Sequence, residues 1–171
     1  MVRDCARVQG TVIRPACSGD ADAIWAILEP VIRAGETYAL DRAMPRAQAL
    51  AYWMGTDRHT FVFEGEASEI LGTYYLRTNQ QGGGAHVANC GYATAPAARG
   101  KGVARAMCAD SLDRARQAGF RAMQFNFVVS SNAPAVHLWQ ALGFAVVGRL
   151  PAAFAHPALG DVDALVLHRA L

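Results

Sequence analysis

Arg99-Gly100-Lys101-Gly102-Val103-Ala104 is the stretch on which the reading of this chain turns. It lies between a run with strand character, ending near Thr94, and a long segment with helical spacing. Two glycines let the backbone turn sharply and approach a ligand with no Cβ in the way. The unpaired N–H groups of a helix's first turn then face that space and, with the helix dipole, suit a phosphate or pyrophosphate. Arg99 and Lys101 add positive charge at its mouth. The spacing is neither a Walker A loop nor GxGxxG. The same residues also read as a glycine-rich turn opening an ordinary surface helix.

Downstream, Val103, Ala104, Met107, Cys108, Ser111, Leu112, Ala115 and Ala118 share one half of a helix running from about Gly102 to Ala118. Arg114 falls at its apolar edge, and Gly119 suits the C-cap. Met123 to Val129 reads as a strand. Asn132 caps a short helix stopped by Gly143. Phe144 to Arg149 and Asp163 to Arg169 read as closing strands, with a Pro/Gly/Ala-rich loop between them.

Upstream, Ala85 to Thr94 is a strand, and Gln80 to Gly84 a loop. His59 to Glu64 and Glu69 to Asn79 carry the β-branched and aromatic residues that strands prefer. Thr11 to Arg14 is a first strand closed by Pro15, and Ser18 or Asp20 offers a helix cap. Ala21, Ile24, Ile27, Leu28 and Val31 give an amphipathic helix that Pro30 should kink or end. Gly35 to Met44 is a loop, and Pro45 suits the first turn of a second helix reaching about Met54. The order β-α-α-β-β-β-α-β-α-β-β implies an α/β fold, a mixed sheet with helices on both faces. Residues 1–9 read as an arm and 10–171 as a single domain.

The whole-chain numbers exclude several classes. Of 171 residues, 53% are apolar and 18% charged, and the net charge is +2. That is no basic stripe for a nucleic acid, and no apolar run nears the ~20 residues of a membrane span. The N-terminus lacks a signal-peptide core. Cys5, Cys17, Cys90 and Cys108 form no CxxC pair, so the expectation is free thiols in the cytoplasm and no metal site.

Two motifs in order make the likeness specific. Arg99, Gly102 and Ala104 meet an Arg/Gln-x-x-Gly-x-Gly/Ala signature, and Asn132 to Phe144 forms a capped helix ending in Leu142-Gly143-Phe144. The chain resembles the GNAT superfamily of acetyl-CoA-dependent N-acetyltransferases. Through Ala88 to Tyr92, Gln124 to Val128 and Leu138-Trp139 it is similar to a bacterial branch near the fungal azetidine-2-carboxylate N-acetyltransferase. The resemblance implies a splayed mixed sheet with acetyl-CoA between the strands ending near Thr94 and Val128. It implies transfer of acetyl to a primary or secondary amine of a small molecule, an amino acid or analogue. Dimers being common in the superfamily, a homodimer is expected.

The resemblance also assigns residues. Tyr92, Ala93, Thr94, Arg99, Gly100, Lys101, Gly102, Val103, Ala104, Asn132 and Trp139 would hold the cofactor. Backbone N–H groups near Tyr92 to Thr94 would polarise the thioester carbonyl. Many members carry a glutamate base on the fourth strand and a tyrosine acid in the Leu-Gly-Phe helix. Here that strand has Asn89-Cys90-Gly91-Tyr92, and Trp139 stands in place of the tyrosine, with an N–H too weakly acidic to replace it.

Catalysis is therefore expected to rest on positioning, with Asn89 and Asn126 orienting the amine or a water. Each also reads as a strand asparagine satisfying loop backbone. Asn132 reads as a cap or a ligand contact, Trp139 as core, His137 as surface or core, and Cys90 as a buried thiol or an acyl-carrying nucleophile. Glu36, Tyr38 and Asp41, in the loop over the acceptor pocket, read as ammonium contacts or as solvated side chains. Phe154, with His156 and Pro157, belongs to a second closing loop. Of Tyr74, Tyr75 and His86, strand alternation decides which face inward; Tyr75 is the expected substrate contact.

Overall fold

The computed structural model describes residues 11–171; the arm expected at 1–9 lies outside the described residues. The chain runs β1 (Val12–Pro15), α1 (Ala21–Ala34), α2 (Arg46–Trp53), β2 (His59–Glu64), β3 (Ile70–Thr78), β4 (Val87–Thr94), α3 (Val103–Gln117), β5 (Ala122–Val129), α4 (Ala133–Ala141), β6 (Ala145–His156) and β7 (Gly160–Ala170). The elements are those expected from the sequence, in the expected order.

They form a seven-stranded sheet of order β1-β2-β3-β4-β5-β7-β6. Every neighbouring pair is antiparallel except β4–β5, which is parallel and pairs only at Val87↔Ala122 and Ala88↔Met123. Beyond Ala88 the two central strands part, and the gap widens toward the N-terminus of α3. Alternation sends Tyr74, Leu76 and Cys90 to one face, where they pack with Met107, Cys108, Leu112, Met123, Phe125 and Trp139. It sends Val62, Tyr75 and Ala93 to the other face, against Ile24, Ile27, Leu28 and Trp53. The Val, Ile, Leu, Met and Phe side chains among them contribute about 1.5–3 kcal/mol each on full burial.

Pro30 does not end α1, which continues to Ala34 and stops at Gly35 with φ 67°. Pro30 is exposed, as is Ala26, whose carbonyl would have accepted the missing N–H bond, so water replaces that bond at little cost. Asp20 does not cap α1 with its side chain. Its carboxylate accepts two bonds from Arg14 (2.8 and 2.8 Å) and one from the Cys17 N–H (2.8 Å). Those bonds hold it down at about 2. The arginine at the apolar edge of α3 is explained as well: Arg114 lies 4.3 Å over the Phe61 ring, and its Nε donates to Asp110 (2.7 Å).

The expected loop after Arg149 is instead strand. β6 runs on through Pro151 to His156, with register shifts between Val146 and Gly148 and between Leu150 and Phe154. Pro151 is tolerated because β6 is the sheet edge and bulges there. Ala152 takes φ 48°, and its N–H donates to the Asp163 carboxylate (2.9 Å). No helix among the described residues is long and apolar enough to cross a membrane.

Candidate functional site

The parting of β4 and β5 opens a cleft of about 750 Å³. One end is the turn before α3. Gly100 and Gly102 take φ 75° and 80°, a left-handed backbone that side-chain-bearing residues adopt at a cost of about 1–2 kcal/mol. Nothing lies within 4 Å of a Cβ built on either, so the surface above the turn is open. The first full helical bond of α3 is Ala106 N–H to Gly102 C=O (3.0 Å). The N–H groups of Val103, Ala104 and Arg105 precede it and point out of the helix end. Gly100, Gly102, Val103 and Ala104 line the cleft with Arg99 and Arg105.

The middle of the cleft is β4. Ala95 N–H donates to Leu71 C=O (2.9 Å), so alternation turns the backbone groups of Tyr92 and Thr94 away from β3, toward the departed β5. Tyr92 does not leave these groups bare. The Tyr38 hydroxyl donates to its carbonyl (2.7 Å) and accepts from its N–H (2.9 Å). A loop side chain thus occupies the position a neighbouring strand would fill. Tyr38→Phe should cost about 1–3 kcal/mol by leaving both groups unpaired, and thermal unfolding of the empty protein would register the loss as a lowered Tm.

The floor is aromatic. The Tyr92 ring lies 5.0 Å from Trp139 and 5.8 Å from Phe125, and its hydroxyl bonds Ser111 Oγ (2.7 Å). Asn132 both lines the cleft and caps α4, accepting from the Ala135 N–H (3.3 Å).

The far end holds the two asparagines. Asn89 stands one residue past the last β4–β5 pair, and its Nδ2 donates to Gln124 C=O (2.9 Å), a carbonyl that the diverging strands leave unpaired. Asn89 is therefore a brace at the origin of the splay as well as part of the cleft wall. Asn126 sits where β5 gains an extra residue against β7, between Phe125 and Val128. Such a bulge re-aims side chains, and Asn126 and Phe127 both line the cleft. Asn126 donates to Asn79 Oδ1 (2.6 Å) and accepts from Gln124 Nε2 (2.8 Å). Tyr75 lies over Gly91, where any Cβ would come within 2.6 Å of its ring.

Several residues expected at or near the site do not line the cleft, among them Asp41, whose exposed carboxylate accepts from the Ala43 N–H (2.8 Å). Lys101 and Glu36 are exposed outside it, and Ala93 points into the α1–α2 core. Phe154 is on β6 rather than a loop and touches the cleft only through Phe127, 6.2 Å away between ring centroids. Conversely, Arg77, Tyr52, Thr37 and Leu40 line it and were not singled out by the sequence. Arg77 was legible in principle, since it shares a strand face with Tyr75, two residues earlier.

Among the described residues no carboxylate and no imidazole lines the cleft. Burial raises the phenols of Tyr38, Tyr75 and Tyr92 above their ordinary value. It pushes the Cys90 thiol up to about 12, so Cys90 stays protonated and is no nucleophile near neutral pH. No group of three or more His, Cys, Asp or Glu among the described residues is placed to hold a metal ion.

A model of the acetyltransferase (GNAT) family matches residues 25–144. The chain is 28% identical over 133 residues to the N-acetyltransferase aca1 of Schizosaccharomyces pombe, covering 68% of this chain and 63% of that protein. The match thus spans less than two thirds of that relative. A GCN5-related N-acetyltransferase from Kribbella flavida is 44% identical with a TM-score of 0.90, over 94% of this chain and 98% of that one. A phosphinothricin acetyltransferase from Sinorhizobium meliloti in complex with AcCoA shares the fold at 21% identity, with a TM-score of 0.82 over 94% and 88% of the two chains.

Proposed function

The chain belongs to the acetyltransferase (GNAT) family, and from that premise we propose that residues 10–171 form one domain that moves the acetyl group of acetyl-CoA to the amine of a small molecule. The single observation carrying this is the cleft between β4 and β5, floored by aromatic side chains and ending on the unpaired N–H groups of α3. These residues fit acetyl-CoA. The open left-handed turn at Gly100 and Gly102 admits a pyrophosphate against backbone, with Arg99 and Arg105 beside it. A pantetheine arm suits a strand edge whose partner has moved away.

Bound there, acetyl-CoA supplies an activated acyl group on a thiolate that leaves readily. The chain contributes position. The N–H groups of Val103 and Ala104 hold phosphate oxygens, and Tyr92 and Thr94 present backbone donors along β4. Taking up the Tyr92 N–H requires the Tyr38 hydroxyl to give way, which ties the loop 35–44 to an occupied cleft. Asn89 and Asn126 orient the acceptor amine. No lining group takes its proton near neutrality, so the amine attacks as the free base formed in solvent; as the C–N bond forms and the C–S bond breaks, the proton the nitrogen sheds passes to the departing thiolate or to solvent. Trp139 lines the cleft, and its indole N–H is too weakly acidic to supply a proton.

Thiol release from acetyl-CoA, followed against a panel of amines, amino acids and proline analogues, tests the reading. Turnover with a small amine is expected. The lack of an acid–base pair favours one rival, a non-catalytic acyl-CoA-binding module. That rival requires tight acetyl-CoA binding with no turnover on any acceptor, whereas a protein acetyltransferase requires turnover on peptides alone.

The reading includes a cytoplasmic homodimer. Free Cys17, Cys90 and Cys108 accord with a reducing compartment. The edge strand β6 exposes Val146 and Val147 (41% and 60%) and Leu150 (41%), apolar surface suited to a second copy. Light scattering should give twice the 18.3 kDa chain mass.

A further inference from the structure

We propose that Arg77 is the acceptor-specificity residue, binding a carboxylate on the amine to be acetylated. The inference rests on the acetyltransferase reading and narrows its substrate to an amino acid or another amine bearing a carboxylate.

The described cleft wall carries arginines and no carboxylate. Arg99 and Arg105 belong to the α3 end. Arg77 is opposite Asn89 in the β3–β4 register. Asn89 to Thr94 is five residues along β4, roughly 16 Å at the rise of a strand. A cation that far from the phosphate end is available to the acceptor instead. A purely cationic acceptor, such as a polyamine, would meet like charge here and find no anion to offset it.

The setting of Arg77 leaves capacity for a ligand. Its Nε donates to Asn89 Oδ1 at 3.3 Å, and its NH1 reaches Asp57 Oδ2 only at 3.5 Å. Asp57 is already committed to Arg58, which donates to it from Nε (2.9 Å) and NH2 (3.1 Å). Two guanidiniums thus share one carboxylate, leaving one net positive charge at this end. Arg58 is fixed behind the wall between the Tyr52 and Tyr75 rings (4.9 and 4.8 Å). Its side chain is 8% exposed, and its NH1 is buried without a partner. Arg77 lines the cleft and is 30% exposed, so a ligand in the cleft can reach it. A carboxylate arriving there replaces a long contact with short, charge-assisted bonds. Through Asn89, the same arginine sits one residue from the Cys90-Gly91 stretch past which the amine must come.

The test compares carboxylate acceptors with their neutral amides, proline with prolinamide and alanine with alaninamide, at rates corrected to the free amine. The wild-type protein should favour the acid by about 10- to 100-fold in kcat/KM, through KM. Arg77→Gln should bring the ratio close to one, and Arg77→Glu should invert it toward amines carrying a second cation. Because each ratio is taken within one protein sample, partial loss of folded protein does not mimic the result. Equal use of acid and amide by the wild type, or a ratio unmoved in Arg77→Gln, overturns the assignment while leaving the transferase reading intact. Absence of turnover on every acceptor overturns the transferase reading instead. Calorimetric binding of N-acetylalanine against N-acetylalaninamide then decides the role of Arg77 alone. Tighter binding of the acid that Arg77→Gln abolishes sustains it, and equal binding overturns it.

Discussion

Gly102→Val should weaken acetyl-CoA binding by about 100-fold or more, the largest single effect expected in this protein. At φ 80° a β-branched residue is strained, and the backbone either stays strained or flips out of the left-handed region. A flip carries the N–H groups of Val103 and Ala104 away from the cleft. If the turn holds, the new Cβ stands in the open surface where a phosphate must come against backbone. The fold itself should lose only about 1–2 kcal/mol, since no described atom lies within 4 Å of that Cβ. Calorimetry with acetyl-CoA, beside a thermal melt, separates the two effects. Lys101→Ala is the control: Lys101 is exposed and off the cleft wall, so its loss should change affinity less than about threefold.

Asn126→Ala should lower kcat by about 10- to 100-fold while acetyl-CoA affinity stays within about threefold. Asn126 lies at the end of the cleft away from α3, on the β5 bulge, bonded to Asn79 and Gln124. Removing its amide leaves the phosphate contacts untouched and takes away the group expected to orient the amine. An unchanged kcat would remove Asn126 from the mechanism. Asn89→Ala is less clean as a probe, because the same amide pairs the Gln124 carbonyl where the strands part.

Much of this was legible in the chain because local signals agree with the fold. Gly100 and Gly102 mark a left-handed turn that side-chain-bearing residues avoid, and Asn132 caps α4 as its position suggests. What escaped depends on partners distant in sequence. Pro30 is harmless only because α1 turns that face to solvent. Pro151 joins a strand only because β6 is an edge and bulges. The bulge that re-aims Asn126 and Phe127 arises from register against β7, which no local pattern encodes. Arg77 gains its meaning from Asn89 across the sheet and from Asp57 beyond β3, while Glu36 and Phe154 lose theirs because neither reaches the cleft wall. Tyr38, the expected substrate contact, lines the cleft and also bonds both backbone groups of Tyr92 across the sheet edge, a pairing no local pattern encodes.

The proposed mechanism promotes acetyl transfer by position, without a titrating side chain to accept the amine's proton. The pH dependence of kcat/KM, taken with two acceptors whose amine pKa values differ by about two units, tests it directly. The rate should rise about tenfold per pH unit and level off at the pKa of whichever amine is used, so that the break moves with the acceptor. A break that stays between about pH 6 and 8 for both acceptors would reveal a protein base in the site and contradict it.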